Sequence, residues 1–496
     1  MNVSRAKDFI NFLHKIQIRH KTTKFSIKDK SQFLKPQRLY GQPTYRTHPH
    51  LLKAGEIVQG ITSDEISYRR IQLMETIKAY SAANYPNVKN HLVVIPSATK
   101  KYISASIPYV FRQNSDFVYF SGCLEPDSIL ALEVSEKSMK SIIFLRPKDK
   151  NQELWDGVRT GTEGGVELFA VDEANSILNF HAYVERFRTQ SNSLIWYDEK
   201  NSDQKQLNQI LRKTETATIE NPLKFIHTLR WVKSDAEIEL MRKTCEIGSK
   251  AVDMTMKKSY PGITEHQIFA EVDYQTRMNG ANMLAYPPVV ASGENASTTI
   301  HYITNTQLTK DGDMVLLDAG CEYGHYSSDI TRTWPINGEF TEPQRILYEI
   351  VLNVQKDLLK ALLNPVNTLD DLFDMMCLQL GVYLQEANLI PKDKSGQDLA
   401  RAAFKFCPHH VSHYLGMDVH DTPMVSRSNR LVPGNVFTIE PGIYISPDRN
   451  DVPEEFRGLG LRIEDDVMVN NQMKIEILTN SVKEPDELLK LIKNKS

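Results

Sequence analysis

Residues 313–340 read DMVLLDAGCEYGHYSSDITRTWPINGEF. Met314–Leu317 is an unbroken apolar run, the pattern of a strand covered on both faces. Asp318 closes that run, and an ionised carboxylate there is costly unless it is paired or bound to a cation. Asp329 follows in SSDITRTWPI, a second strand rich in β-branched residues, and a hairpin brings the two acids together. A second strand pair has the same form. Residues 435–445, NVFTIEPGIYI, and 459–469, LGLRIEDDVMV, place Glu440 and Glu464 inside apolar strands. The two pairs hint at an internal duplication, although no clean sequence repeat accompanies them. His413 lies in the string CPHHVSHYLGMDVHD, residues 407–421. Four carboxylates and one imidazole that converge suit two divalent cations; the oxygens favour Mn²⁺ or Mg²⁺, and one histidine moves the choice towards Mn²⁺, Co²⁺ or Zn²⁺. Taken singly, each residue has a plainer role. A strand acid is more often an edge charge or a salt-bridge partner, and a lone histidine is more often hydrogen-bonded in the core. Asp465 and Asp466 read as surface charges. The set is what favours a metal site.

Upstream, Ser234 and Glu237 form a capping box, followed by a helical stripe of Ile238, Met241, Cys245, Gly248 and Val252. The rest of this C-terminal part alternates long helices with β-branched strands, and the tail from Lys483 is a charged helix. From Ser67 to about Asn221 the pattern is that of an α/β domain without a catalytic cluster. RRIQLMETIKAY is helical there, and HLVVIPS, SILALEV and SIIFLRP are strands, the last two being neighbours. A polar stretch leads out of it, which puts the boundary near Pro222. The expected division is 1–54, 55–225 and 226–496.

The first 54 residues differ from the rest. Twelve Lys and Arg face two acids, Asp8 and Asp29, and Phe9, Phe12, Leu13 and Ile16 make one apolar face of a short basic helix. That combination is the signature of a mitochondrial transit peptide. Over the 496 residues, 41 % are hydrophobic and 24 % charged, ordinary for a globular chain able to bury a large core. The net charge of −3 argues against wholesale nucleic-acid binding. No apolar run approaches the roughly 20 residues that span a bilayer. Five scattered cysteines, with no C-x-x-C, argue against a disulfide framework or a thiolate zinc site and fit a reducing compartment.

At this level of detail the sequence resembles metallopeptidase family M24, and within it aminopeptidase P. The strings that carry the resemblance are SGENASTTIHY, MVLLDAGCEYGHYSSDITRTWPINGEFT, CPHHVSHYLGMDVHDTP, FTIEPGIYI and GLGLRIEDDVMV, in that order. HPHLLKAGEIVQGIT, SIPYVFRQNSDFVYFSGCLEPDSIL and ELWDGVRTGTEGG are similar to the mitochondrial, intermediate-cleaving branch, so the likeness runs from about Thr44 to the end. It implies an α/β (α+β) chain: an N-terminal α/β creatinase-like domain followed by a pita-bread catalytic domain. It implies that Asp318, Asp329, His413, Glu440 and Glu464 hold two divalent ions, Mn²⁺ first among the candidates. Asp329 and Glu464 would bridge, Asp318 would hold one ion, and His413 and Glu440 the other. His301 and His420 match two catalytic histidines that are not ligands, and Glu440 doubles as a proton acceptor. Tyr444 and Arg462 match groups that orient Asp318. His409 lines the cleft, and Tyr286 and Trp155 match aromatic positions near the substrate; in some relatives the tryptophan comes from a neighbouring subunit.

The implied activity is removal of the first residue of a peptide, with proline preferred second. An imide nitrogen carries no hydrogen, so peptidases that grip an N–H there fail, whereas aromatic faces can seat the ring. The implied partners are a peptide or protein N-terminus and a second copy in a homodimer, with no nucleic acid and no membrane span. The implied location is the mitochondrial matrix, alongside a cytoplasmic pool. A prolidase-type dipeptidase shares the ligand set. A non-catalytic binding protein on this fold would have lost ligands, and every ligand position is filled.

Overall fold

The computed structural model describes residues 40–494, except 201, 203, 213–218, 299–305 and 365–366. The Phe9–Ile16 stripe of the basic segment lies outside the described residues, and so does His301.

In the N-terminal part, helix α1 (Ser63–Asn84) contains RRIQLMETIKAY and starts at Thr62, whose side chain accepts the Glu65 N–H. A mixed sheet follows: β1 (Asn90–Pro96), β2 (Ile129–Ser135), β3 (Met139–Leu145), β4 (Glu173–Ser176), β5 (Ser193–Trp196) and β6 (Ile219–Glu220). The three expected strands are β1, β2 and β3. Spatial order is β6-β5-β1-β2-β3-β4, with β2 antiparallel to both β1 and β3 and the outer pairs parallel. Leu92, Val94, Ile129, Ala131, Ile142 and Phe144 form one face of its core against Phe180, Tyr183 and Val184. The short helix α2 (Ser115–Ser121) enters through an Asn114 cap and leaves at Gly122, whose φ of 64° suits a residue without Cβ.

In the C-terminal part, helix α3 (Leu223–Trp231) leads to α4 (Asp235–Lys258), where both halves of the Ser234/Glu237 capping box form and the expected stripe is buried. Helix α5 (Glu265–Met278) follows. Strands β7 (Val289–Ser292), β8 (Met314–Ala319) and β9 (Ile330–Pro335) make an antiparallel sheet in which Asp318 faces Thr331. Helix α4 packs on β9. After helix α6 (Glu342–Ala361) and helix α7 (Leu369–Glu386) come β10 (Val436–Ile439), β11 (Gly442–Tyr444), β12 (Gly460–Arg462) and β13 (Asp465–Val469). β10 pairs with β13 and β11 with β12, both antiparallel. Both strand pairs expected from the sequence therefore form, and the second is broken in two.

The break positions the site. Pairing stops between Ile439↔Asp465 and Gly442↔Arg462, which leaves Glu440 and Glu464 out of the ladder. Pro441 has no N–H to continue it. The Glu464 N–H instead donates to Thr331 O at 3.1 Å, and the Arg462 N–H to Thr333 Oγ1 at 3.2 Å, so the second pair is tied to β9. Asp329 likewise sits just before β9 begins. Gly320 lets this crossing occur: a Cβ there would lie 1.8 Å from Ser328 O. One core backs both pairs, joining Val315, Leu317, Ile330 and Trp334 to Phe437, Ile439, Ile463 and Val467. Among the described residues no helix is long and apolar enough to cross a membrane. All five cysteines are buried thiols.

Candidate metal centre and active site

A cavity of about 640 Å³ opens over the strand breaks. Its lining includes Asp318, Asp329, His409, His413, His420, Glu440, Arg462 and Glu464. Each side chain is delivered by the local backbone. β8 carries Asp318 one residue before its end, the turn into β9 brings Asp329 to it, and the two interruptions present Glu440 and Glu464. His413 is fastened to β10 from both sides: its N–H donates to Thr438 Oγ1 at 3.2 Å, and its carbonyl accepts the Thr438 N–H at 3.0 Å. Ligand atoms of Asp329, His413 and Glu464 all lie within 4.8 Å of one another.

Charge does not balance among these groups. Four carboxylates meet one guanidinium, Arg462, and one imidazole, His413. Tyr286 offers a single phenolic proton between Asp318 Oδ1 at 2.6 Å and Asp329 Oδ1 at 2.5 Å. Burial pushes the Glu440 carboxyl up to about 7. Burial and the charges of Asp329 and Glu440 hold Glu464 well above the carboxylate range, and burial raises Asp318 against the pull of Arg462. Burial opposes ionisation of Asp329 too, but the hydrogen bond and charge of His413 outweigh it and hold that group low. Burial alone would pull His413 down; its bond to Asp329 and the charge of Glu440 keep it up at about 9. Buried acids with too few positive neighbours are the surroundings that divalent cations stabilise.

The imidazole geometry fits the same use. His413 Nδ1 faces Tyr414 O at 3.2 Å, and a carbonyl only accepts, so Nδ1 carries the hydrogen. That turns Nε2 to the acids, 3.2 Å from Asp329 Oδ2 and 3.7 Å from Glu440 Oε1. A histidine tautomer fixed in this way is the usual arrangement of a metal-facing imidazole. Arg462 is buried and spends its donors on three partners: Asp318 Oδ2 at 2.5 Å, Tyr444 OH at 2.7 Å and Thr331 Oγ1 at 3.0 Å. Tyr444 OH lies 3.0 Å from Nε2 of His409, whose Nδ1 faces His410 O. Tyr444, Arg462 and Asp318 therefore form one connected set. The His420 ring meets that of His413 edge-on, centroids 4.5 Å apart.

One expectation needs correction. Asp465 and Asp466 are fully buried, not surface charges. Asp465 pairs with Arg332 at 2.7 Å and with Lys483, and Asp466 accepts the Asp329 N–H at 3.0 Å and the Cys245 thiol at 3.2 Å. The signal was in the strand itself, since EDD continues directly into VMV with no turn residue between. The Tyr286 hydroxyl is committed to Asp318 and Asp329. Trp155 lies on the helix Lys150–Asp156, is 85 % exposed and does not line this cavity. Thr331, whose hydroxyl donates to Glu464 Oε2 at 2.6 Å, carried no sequence signal.

Residues 239–471 match the family model for metallopeptidase family M24, and residues 67–196 the one for the aminopeptidase P N-terminal domain. The human protein Xaa-Pro aminopeptidase 3 is 43 % identical over 464 residues, covering 91 % of this chain and 90 % of its own. The Arabidopsis thaliana protein called intermediate cleaving peptidase 55, mitochondrial, is 35 % identical, covering 89 % and 85 %. A solved zinc-substituted Escherichia coli aminopeptidase P in complex with product superposes with a TM-score of 0.79 at 32 % identity, over 88 % of this chain and 99 % of that one. With the cavity, the strand breaks and both domain matches in agreement, the chain belongs to metallopeptidase family M24, in the group that carries an aminopeptidase P N-terminal domain and folds as a pita-bread enzyme.

Proposed function

We propose that this chain is a dinuclear metalloaminopeptidase that removes the first residue of a peptide, preferring proline in the second place. The observation that carries the reading is the excess of buried carboxylates over positive groups around His413. Asp318, Asp329, His413, Glu440 and Glu464 would hold two divalent cations, and an oxygen-rich set with one imidazole suits Mn²⁺. The chemistry such ions supply is Lewis acidity, which polarises a carbonyl and acidifies water.

The chain's own residues account for the rest. Arg462 and Tyr444 fix the Asp318 carboxylate, so its oxygens stay aimed into the cavity. Glu440, on the cavity wall beside His413, would accept a proton from the attacking water. His420, beside His413 on the cavity wall, would donate to the developing oxyanion and to the leaving nitrogen, with His301 as its expected companion. The acids would also receive the free α-amine of the substrate, which limits cleavage to one residue. His409 lines the cleft over Tyr444 and bounds the substrate on that side.

The finer parts of the reading rest on different support. A mitochondrial location follows the name of the Arabidopsis relative and the basic first 54 residues, with the matrix as the compartment; a diffuse reporter fused to that segment would place the protein in the cytoplasm. The division 55–225 and 226–496 encloses both family matches. A homodimer would cover Trp155, Leu154 and the hairpin carrying Tyr102, Ile103, Ile107 and Val110, all exposed. Sedimentation velocity decides that point.

The activity is tested by kcat/KM on four peptides: X-Pro-Y, X-Ala-Y, X-Pro and acetyl-X-Pro-Y. Burying the ring in place of alanine gains about three methylenes of apolar contact, or about thirtyfold for X-Pro-Y over X-Ala-Y. Acetylation abolishes turnover. Fastest cleavage of X-Pro would make the protein a prolidase, and no cleavage by metal-loaded protein would leave a binding protein.

A further inference from the structure

The loop that carries His420 has little regular structure of its own. It leaves the sheet where the Leu415 N–H donates to Val436 O at 3.0 Å, and it turns back where the Asp421 N–H donates to Tyr414 O at 2.9 Å. Two carboxylates flank the histidine, Asp418 two residues before it and Asp421 one residue after. Both are gripped by cations from other elements. Arg230, in the last turn of α3 and buried, donates to Asp418 Oδ2 at 2.8 Å and to Asp421 Oδ1 at 2.5 Å. Lys233 Nζ reaches Asp421 Oδ2 at 3.1 Å.

The other oxygen of Asp418 is held from the N-terminal part of the chain. Ser115 Oγ, at the start of α2, donates to Oδ1 at 2.6 Å. Arg112 Nη2 donates to the same oxygen at 3.2 Å and to Met417 O at 2.7 Å. Arg112 is itself anchored by Nε on Glu322 Oε2 at 2.6 Å, and Asp116 accepts from Arg230 at 2.5 Å. These cations draw the Asp418 carboxyl far below its usual range despite burial, as a tight ionic clamp does. Interdomain ties that served cohesion alone could fall anywhere along the contact. Two of them, from Arg112 and Ser115, fall on Met417 and Asp418, within three residues of the imidazole.

We propose that Arg112 and Ser115 are positioning residues for His420: the N-terminal domain fixes the height of the 416–421 loop, and with it the reach of the imidazole over the cavity. The proposal rests on the reading of His420 as a proton donor given above. Its physical basis is that a displacement of about 1 Å at a catalytic group costs about a hundredfold in rate. The Ser327 N–H holds the start of the loop at Gly416 O, 2.8 Å away, and Asp418 and Asp421 are the side chains by which the rest is gripped.

A double-mutant cycle on the full-length, metal-loaded protein tests it, with X-Pro-Y as substrate. Arg112→Ala is expected to lower kcat by about 10- to 100-fold and Ser115→Ala by about fivefold, with KM and bound metal unchanged. Arg112→Lys, which keeps the charge but loses the fork, should recover part of the loss. In a His420→Ala background the same substitutions should change kcat less than about twofold, because nothing remains to be positioned. Losses that multiply in full across the two backgrounds would overturn the proposal, as would unchanged kcat in both single variants. Ser115→Ala removes one hydrogen bond, so the cycle stands even if Arg112→Ala does not fold. A His420→Ala protein with wild-type kcat would instead remove the role of His420, and this proposal with it.

Discussion

Asp329 and His420 line the same cavity but stand to lose different things. Asp329 offers both carboxylate oxygens among Tyr286, His413 and Glu464, and an amide cannot replace its charge. Asp329→Asn should therefore empty the site, with metal content by elemental analysis falling towards zero. His420→Ala should keep two metals per chain and lower kcat by about 10²- to 10⁴-fold, the range for a lost acid–base group. Loss of metal in the second variant would make His420 a ligand. At this scale the sequence announced the acids because each breaks an otherwise apolar strand. It did not announce Thr331, since a threonine in a strand is ordinary whether or not its hydroxyl donates to Glu464. Asp465 and Asp466 were misread for a related reason: consecutive acids look solvated unless their partners are known, and Arg332, Lys483 and the Asp329 N–H are distant in sequence.

Strand pairing was legible because apolar runs of five or six residues are short enough to be strands and end at turn residues. What the pattern could not give was the interruption at Glu440 and Glu464, which arises because Pro441 cannot continue the ladder and the Glu464 N–H turns to Thr331. The element most sensitive to side-chain size is the crossing at Gly320. A methyl group there would meet backbone, the Ser328 carbonyl oxygen, at 1.8 Å, and the Tyr286 ring at 2.7 Å. Backbone cannot swing aside as a flexible side chain can, so β8 and the turn before β9 must separate. Gly320→Ala should cost several kcal/mol, in the range of severe overpacking, and should weaken metal binding, because Asp318 and Asp329 lie on the two sides of that crossing. Thermal unfolding with and without metal checks it; an unchanged Tm would mean that the crossing relaxes freely.

The cavity gathers more buried carboxylates than positive groups, and this gives the metal-free protein a characteristic pH response. Glu440 has its folded carboxyl at about 7 against an ordinary 4.5, so the folded state keeps a proton that the unfolded chain releases, and stability falls as pH rises through that window. His413 sits at about 9 against 6.5; its contribution is complete below about 6.5 and is lost as pH rises to about 9. Both act in the same direction. Below about pH 6.5 His91 and His410, drawn down to about 4 by burial, act the other way. The Tm of chelator-treated protein should therefore fall from about pH 6.5 to about pH 9, and Mn²⁺ should remove most of the fall. A Tm that rises over that range in chelator would contradict this account of the buried acids. The N-terminal domain was legible as an α/β unit but not as part of the site, because the ties of Arg112 and Ser115 to Asp418 cross some three hundred residues of sequence. The central claim, that two cations in this cavity drive aminopeptidase chemistry, is tested most directly by titrating Mn²⁺ into metal-stripped protein while release of the first residue from X-Pro-Y is followed. Activity should start near zero and level off at two equivalents per chain, with acetyl-X-Pro-Y inert throughout. Full activity in a sample shown by elemental analysis to hold no metal would contradict it.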